Sequence, residues 1–177
     1  MKLQDIHQLF DTVYTGFSSW VLNSCRSELI VDDHIQGCIF VPSGSGSGFE
    51  VINRSGKLFE LVQIDNRLLP AQRGGQCDCA FVYDDSFNLL EFKTNTITFN
   101  KRNAKKHYVK AEKQLKNTIS RFRNSGIDVL VLATEVEAHI CFNNTFPRRR
   151  SSEMTRSIRF AKATGGVELH FDKEKEI

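Results

Sequence analysis

Gln76–Thr94, written QCDCAFVYDDSFNLLEFKT, holds two apolar runs, Cys77–Tyr83 and Asn88–Thr94, on either side of Asp84, Asp85 and Ser86. Val, Phe, Tyr and Leu flanking a short polar break predict a β-hairpin. Three residues do not belong in a plain core hairpin: Asp78, Glu91 and Lys93. Side chains alternate along a strand, so Glu91 and Lys93 share a face. A symmetric turn at Asp84 and Asp85 sets Asp78 opposite Glu91, and a looser register sets it opposite Lys93. Either keeps all three side chains on one face, which an odd-residue slip would not.

Charges are costly to bury unless they are paired or bind a metal. Two adjacent carboxylates offer hard oxygen donors suited to Mg²⁺ or Mn²⁺, ions that keep several waters and accept a phosphate oxygen. A neighbouring lysine can orient the attacking water or offset transition-state charge. The chemistry favoured is metal-assisted hydrolysis of a phosphodiester. The plainer reading of the same residues is a salt bridge from Lys93 to Glu91 or Asp78 at a sheet edge.

Asp78, a gap of twelve residues, then Glu91-Phe92-Lys93 resembles the D…ExK signature of the PD-(D/E)XK nuclease superfamily. The Pro that sometimes precedes the Asp is absent, and Cys77 stands there. The resemblance implies an α/β fold of the restriction-endonuclease-like type, with an αβββαβ core and a mixed central sheet flanked by helices. An extra N-terminal hairpin and a C-terminal helix and strand would extend that core. It implies a Mg²⁺ (or Mn²⁺) held by Asp78, Glu91 and the Phe92 carbonyl, with Lys93 as the catalytic cation. It also implies an additional glutamate from the first helix, for which Glu28 is in line; Glu60 is the other candidate. RecB-like members carry a Gln on the helix after ExK, followed four residues later by Tyr. Gln114 matches the first and Thr118 stands at the second, so Gln114 is expected to bind phosphate or a metal-bound water. The implied activity is a nuclease on DNA rather than RNA, acting as a homodimer or within a larger complex. The alternative is an inactive nuclease-fold domain that binds nucleic acid or another protein.

Composition agrees with a globular α/β chain. At 177 residues one domain spanning 1–177 can bury its own core. Nothing approaches the ~18 consecutive apolar residues of a membrane span, and MKLQDIHQLF has no apolar leader segment, so a cytoplasmic protein is expected. Five cysteines at 25, 38, 77, 79 and 141 lack the spacing of a zinc knuckle and read as reduced core thiols. The net charge of +3 is uneven: residues 1–100 carry seven Lys/Arg against twelve Asp/Glu, residues 101–177 seventeen against nine. The second half is therefore expected to face an anion.

Outward from the hairpin, Arg102–Ser125 predicts a helix with Ala104, Tyr108, Ala111, Leu115, Ile119 and Phe122 as its buried stripe and Gly126 as its cap. Residues 101–124 hold nine Lys/Arg and one acid, Glu112. Such one-sidedness suits a phosphate backbone, with Lys105, Lys106, Lys110 and Lys113 as contacts. Arg73, in a Gly-ended loop with Arg67, and Arg148, Arg149 and Arg150 are further candidates. DVLVLAT, Asp128–Thr134, reads as a strand covered on both faces, and Ala138–Asn143 as a short strand. Ser151 or Ser152 opens a helix to Ala163, Gly166–Phe171 is an edge strand, and the closing DKEKE reads as a frayed tail.

In the N-terminal half, apolar residues from Leu3 to Cys25 recur at helical spacing and predict a helix of about six turns that Gly16 weakens without breaking. Asp32, Asp33 and His34 read as a turn and Gly37–Pro42 as a strand. SGSGSG, Ser43–Gly48, lacks the Lys and following helix of a phosphate-binding loop and reads as a hairpin tip. Phe49–Asn53 and Lys57–Ile64 read as strands joined by a tight turn.

Overall fold

The computed structural model describes residues 3–33, 35–44, 47–71, 74–94, 101–143, 146, 148 and 150–177. The expectations for His34, Arg73 and Arg149 lie outside the described residues. The hairpin forms as read. Strands β6 (Cys79–Tyr83) and β7 (Ser86–Lys93) pair antiparallel from Tyr83↔Ser86 to Cys79↔Leu90. Asp84 takes the left-handed conformation, φ 46°, that a two-residue hairpin turn asks of an Asp.

Around this pair, β1 (Val21–Ser24) and β5 (Phe59–Gln63) extend one side antiparallel; β8 (Glu135–Phe142) and β9 (Glu168–His170) extend the other in parallel. The result is one mixed six-stranded sheet in the order β1-β5-β6-β7-β8-β9. A second sheet has the order β10-β4-β2-β3, with β2 Glu28–Asp33, β3 Gly37–Val41, β4 Phe49–Ile52 and β10 Glu174–Glu176. Helices α1 (Leu3–Val13), α2 (Lys101–Asn124), α3 (Val129–Leu132) and α4 (Arg150–Thr164) complete the described elements.

Two apolar cores sandwich the six-stranded sheet. Even-numbered residues of β6 and odd-numbered ones of β7, Ala80, Val82, Phe87 and Leu89, meet Phe10 of α1, Leu115 and Phe122 of α2 and Phe160 of α4. The opposite face, through Phe81, Leu90 and Cys141, packs on Ile30, Phe49 and Val51 of the four-stranded sheet. Each core holds about a dozen or more fully desolvated side chains, each contributing roughly 1.5–3 kcal/mol before the entropy of ordering is subtracted. Four of the five cysteines are buried free thiols and Cys25 is exposed, as the core-thiol reading has it. No described helix is long and apolar enough to cross a membrane.

Several expectations fail for tertiary reasons. The first helix ends at Val13; Gly16 is left-handed (φ 77°), a short 3-10 turn follows, and Val21–Ser24 becomes β1. The helical stripe continues on paper past a residue that the backbone uses as a corner. DVLVLAT is not the central strand. Asp128 accepts from the Leu130 amide and caps the single turn α3, leaving Val131 exposed. The parallel partner of β7 is β8 instead, whose Val136, Ala138, Ile140 and Phe142 line the helix-side core. The two strands expected to form one hairpin, β4 and β5, lie in different sheets. SGSGSG joins β3 to β4 on opposite sides of β2 rather than capping a hairpin; a Cβ on Gly48 would stand 2.3 Å from the Ile30 carbonyl oxygen. The tail is not frayed, for β10 pairs in parallel with β4.

Candidate active site

The ladder between β6 and β7 stops at Cys79, one residue before Asp78. The amides of Ile64 and Asp65 both donate to the Asp78 carbonyl at 3.1 Å. One residue opposing two re-aims the strand end, as bulges do beside functional sites. The Asp78 carboxylate then takes the place of the next main-chain acceptor: Phe92 N donates to Asp78 Oδ2 at 2.5 Å. Asp78 therefore addresses the backbone between Glu91 and Lys93, rather than lying squarely opposite either.

Glu91 is fully buried, and Lys93 keeps a tenth of its side chain exposed. The Lys93 ammonium donates to Glu91 Oε1, to the Phe92 carbonyl at 3.2 Å and to Gln114 Oε1 at 3.2 Å. Three hard oxygen donors from β7 and α2 thus converge on one cation. The second carboxylate oxygen of Glu91, Oε2, is buried with no hydrogen-bond partner. An orphaned carboxylate oxygen is a costly feature, and its chemistry fits a divalent cation.

Burial, with the nearby Asp78 charge, pushes the Glu91 carboxyl well above the usual range; Lys93 pulls it back. Burial likewise raises Asp78 to about 7, against the Phe92 amide and Lys93, while Asp32 and Asp65 add to the rise. Two carboxyl groups that resist ionising together are the environment a metal or a proton relieves. His107 of α2 lies near Lys93 and Lys110, and burial and those two charges lower its pKa.

What aims Asp78 is the polar flank of α2. Gln114 Nε2 donates to the Gln76 carbonyl and Asn117 Nδ2 to that of Gly75, both at 3.0 Å; Thr118 Oγ1 accepts from the Cys77 amide at 2.9 Å. Arg121 donates to the Pro70 carbonyl and to Gln76 Oε1. These residues fall on successive turns, so one helix edge satisfies the backbone of the segment entering β6. The spacing of Gln114, Asn117, Thr118 and Arg121 beside the apolar stripe is the signal of this edge in the sequence.

The two proposed ancillary glutamates are elsewhere. Glu28 is not on a helix but opens β2, buried against Ser24 Oγ at 2.8 Å and Arg26 Nε at 2.7 Å. Glu60 pairs with Val82, four residues along β5 from Ile64, the residue bonded to Asp78; at about 3.3 Å per residue that removes it from the site by roughly 13 Å. The acids that do approach are Asp32 and Asp65, which line a cleft of about 430 Å³ with Asp33 and Asp78. Asp32 is the penultimate residue of the strand that Glu28 begins, which no local pattern distinguishes from a turn.

The basic residues divide. Lys105, Lys106, Lys110 and Lys113 line one open cleft of about 820 Å³ with Val109, Gly74 and Gly75, adjoining Gln114. Arg148 is already paired within the chain, though nearly half of its side chain stays exposed. Its guanidinium grips the buried Glu153 through two bonds of 3.0 Å, and Glu153 accepts from Tyr108 of α2 at 2.6 Å. This ties the start of α4 to α2, while Arg150 is exposed at the first residue of α4. Replacing Arg148 with Ala leaves a buried carboxylate with half its partners. The expected loss is about 1–2 kcal/mol of stability in urea unfolding, with unchanged binding to polyanions. Arg67 stacks over Trp20, 5.5 Å from the ring, and donates to the Ile35 carbonyl.

Comparisons of the chain with protein-family models, with curated proteins and with solved structures return no match.

Proposed function

We propose that the protein is a Mg²⁺- or Mn²⁺-dependent nuclease of the PD-(D/E)XK type, cleaving DNA in preference to RNA. The observation that carries the reading is the convergence of Asp78, Glu91, Lys93 and Gln114 at the end of one strand pair, beside a lysine-lined cleft. The order β5-β6-β7-α2-β8, an antiparallel meander followed by a helix and a parallel strand, supports the αβββαβ core that the resemblance implies. The lower face of the sheet departs from it, being covered by four strands where helices were expected.

In this reading Glu91, the Phe92 carbonyl and Asp78 would hold the cation, whose contribution would be Lewis-acid polarisation of the scissile phosphate. Lys93 leaves its bond to Glu91 to stabilise charge developing on the phosphate, and Gln114 steadies its ammonium. Asp32 and Asp65 replace Glu28 and Glu60 as the supporting carboxylates. The lysines of α2 hold the nucleic-acid backbone without reading bases.

The test is incubation of purified protein with single-stranded, double-stranded and branched DNA, and with RNA, in Mn²⁺ or Mg²⁺. Cleavage that EDTA abolishes is expected; intact substrates under every condition would overturn the proposal. The complete burial of Glu91 beneath Lys93 favours one second reading, a binding module without turnover. That module predicts salt-sensitive DNA binding that EDTA leaves unchanged.

A further inference from the structure

A second group of ligating side chains lies on the other face of the six-stranded sheet. In the parallel pair of β8 and β9, Glu137 stands beside Glu168 and His139 beside His170. Glu168 and His170, two residues apart, share a face with Glu137. One ligand atom from each of Glu137, Glu168 and His170 falls within 4.8 Å of the others. His170 Nε2 is 3.6 Å from Glu137 Oε1 and 3.6 Å from Glu168 Oε2. That is too long for a hydrogen bond, and the nitrogen is buried with no partner. Donor atoms around a tetrahedral ion at ~2.0–2.1 Å lie roughly 3.4 Å apart, so the spacing that fails as hydrogen bonding succeeds as coordination.

The surroundings orient the group as supporting residues orient metal ligands. Glu137 Oε2 accepts from the Lys175 ammonium at 2.7 Å and sits 3.0 Å from His139 Nε2, which leaves Oε1 turned to His170. His139 Nδ1 is in turn 2.8 Å from Asp172 Oδ1, and Asp172 Oδ2 lies 4.0 Å from His170 Nδ1. Glu137 and Glu168 also line a cleft of about 200 Å³ with Glu135 and Gly166.

We propose that Glu137, Glu168 and His170 form a site for a borderline transition ion of the Zn²⁺ class. Imidazole with two carboxylates suits Zn²⁺, Co²⁺ or Mn²⁺ better than Mg²⁺, which prefers all-oxygen, largely hydrated sites. The site is separate from Asp78 and Glu91. Glu137 pairs with Asn88, three residues from Glu91, and points to the opposite face. Its effect is structural: the ion clips β9, an edge strand of three residues that follows α4, to the long strand β8.

The test uses the full chain, stripped with chelator and titrated with Zn²⁺ by calorimetry and with Co²⁺ by visible absorption. One equivalent that persists in Asp78→Asn is expected, with tetrahedral Co²⁺ bands and a raised melting temperature. Glu168→Gln, at an exposed position where substitutions cost the fold little, and His170→Ala are each expected to weaken affinity by about 10- to 100-fold or more. Asp78→Asn is expected to leave this binding unchanged, which separates it from the nuclease proposal. Zn²⁺ affinity equal in Glu168→Gln, His170→Ala and the parent, or no saturable binding in the parent, would overturn the site. A melting temperature that Zn²⁺ leaves unchanged in the parent would overturn it too.

Discussion

Lys93→Met is expected to lower metal-dependent cleavage by at least about 10²–10³-fold, the usual cost of removing one group aimed at transition-state charge, while the protein stays folded. Methionine keeps the length and apolar stem of the side chain and removes only the ammonium. The folded state tolerates this because Glu91, already pushed strongly towards its protonated form by burial, can hold a proton where it held the Lys93 nitrogen. Substrate affinity is expected to change little, since the exposed lysines lining the α2 cleft supply the long-range attraction. The informative measurement is single-turnover cleavage at saturating protein, with circular dichroism of both proteins alongside. Parent-like cleavage by a folded, nuclease-free Lys93→Met protein would remove Lys93 from the chemistry and the proposal with it. Equal losses in Lys93→Met and in a control substitution of Lys113 would assign the lysine to binding alone.

The second large effect concerns stability. Asp78 has a folded pKa of about 7 against an ordinary 3.8, so the folded protein binds this proton more tightly than the unfolded chain does. Below about pH 4 both states are protonated and Asp78 costs nothing. Between about pH 4 and 7 the unfolded chain ionises first, and stability falls as pH rises; above 7 the full penalty is present. Asp78→Asn, which retains an acceptor for the Phe92 amide, is therefore expected to be more stable than the parent at pH 8, by an amount on the order of 2 kcal/mol, and near-equal at pH 4. A divalent cation held there as proposed would relieve the same penalty, so Mg²⁺ or Mn²⁺ is expected to raise the parent's melting temperature at pH 8 more than at pH 6. The Asn variant should lose that response. Most substitutions destabilise, which makes an inactive variant of raised stability a distinctive signature of a site held at a thermodynamic cost. Asp78→Asn less stable than the parent at pH 8, or equally stabilised by Mg²⁺, would contradict it. Asp32, Asp65, Glu91 and Lys93 face the same group, so the transition in pH is expected to be broad.

Local chemistry by itself determined the hairpin about Asp84 and Asp85, the shared face of Glu91 and Lys93, and the α2 stripe from Ala104 to Phe122 with its lysine-rich outer side. Each of these depends on turn residues or on periods of two and 3.6 residues, which neighbouring positions enforce without help from the rest of the chain. Tertiary structure alone decided which runs became strands and whom they paired with. The apolar DVLVLAT became a capped turn because EVEAHICF took the place beside β7, and the charged tail became a strand because β4 left an edge open to it. The same long-range pairing chose the acids. Glu28 and Glu60 have the right chemistry at the wrong ends of β2 and β5, whereas Asp32 and Asp65 reach Asp78 because strand pairing and a doubled turn bring those ends together.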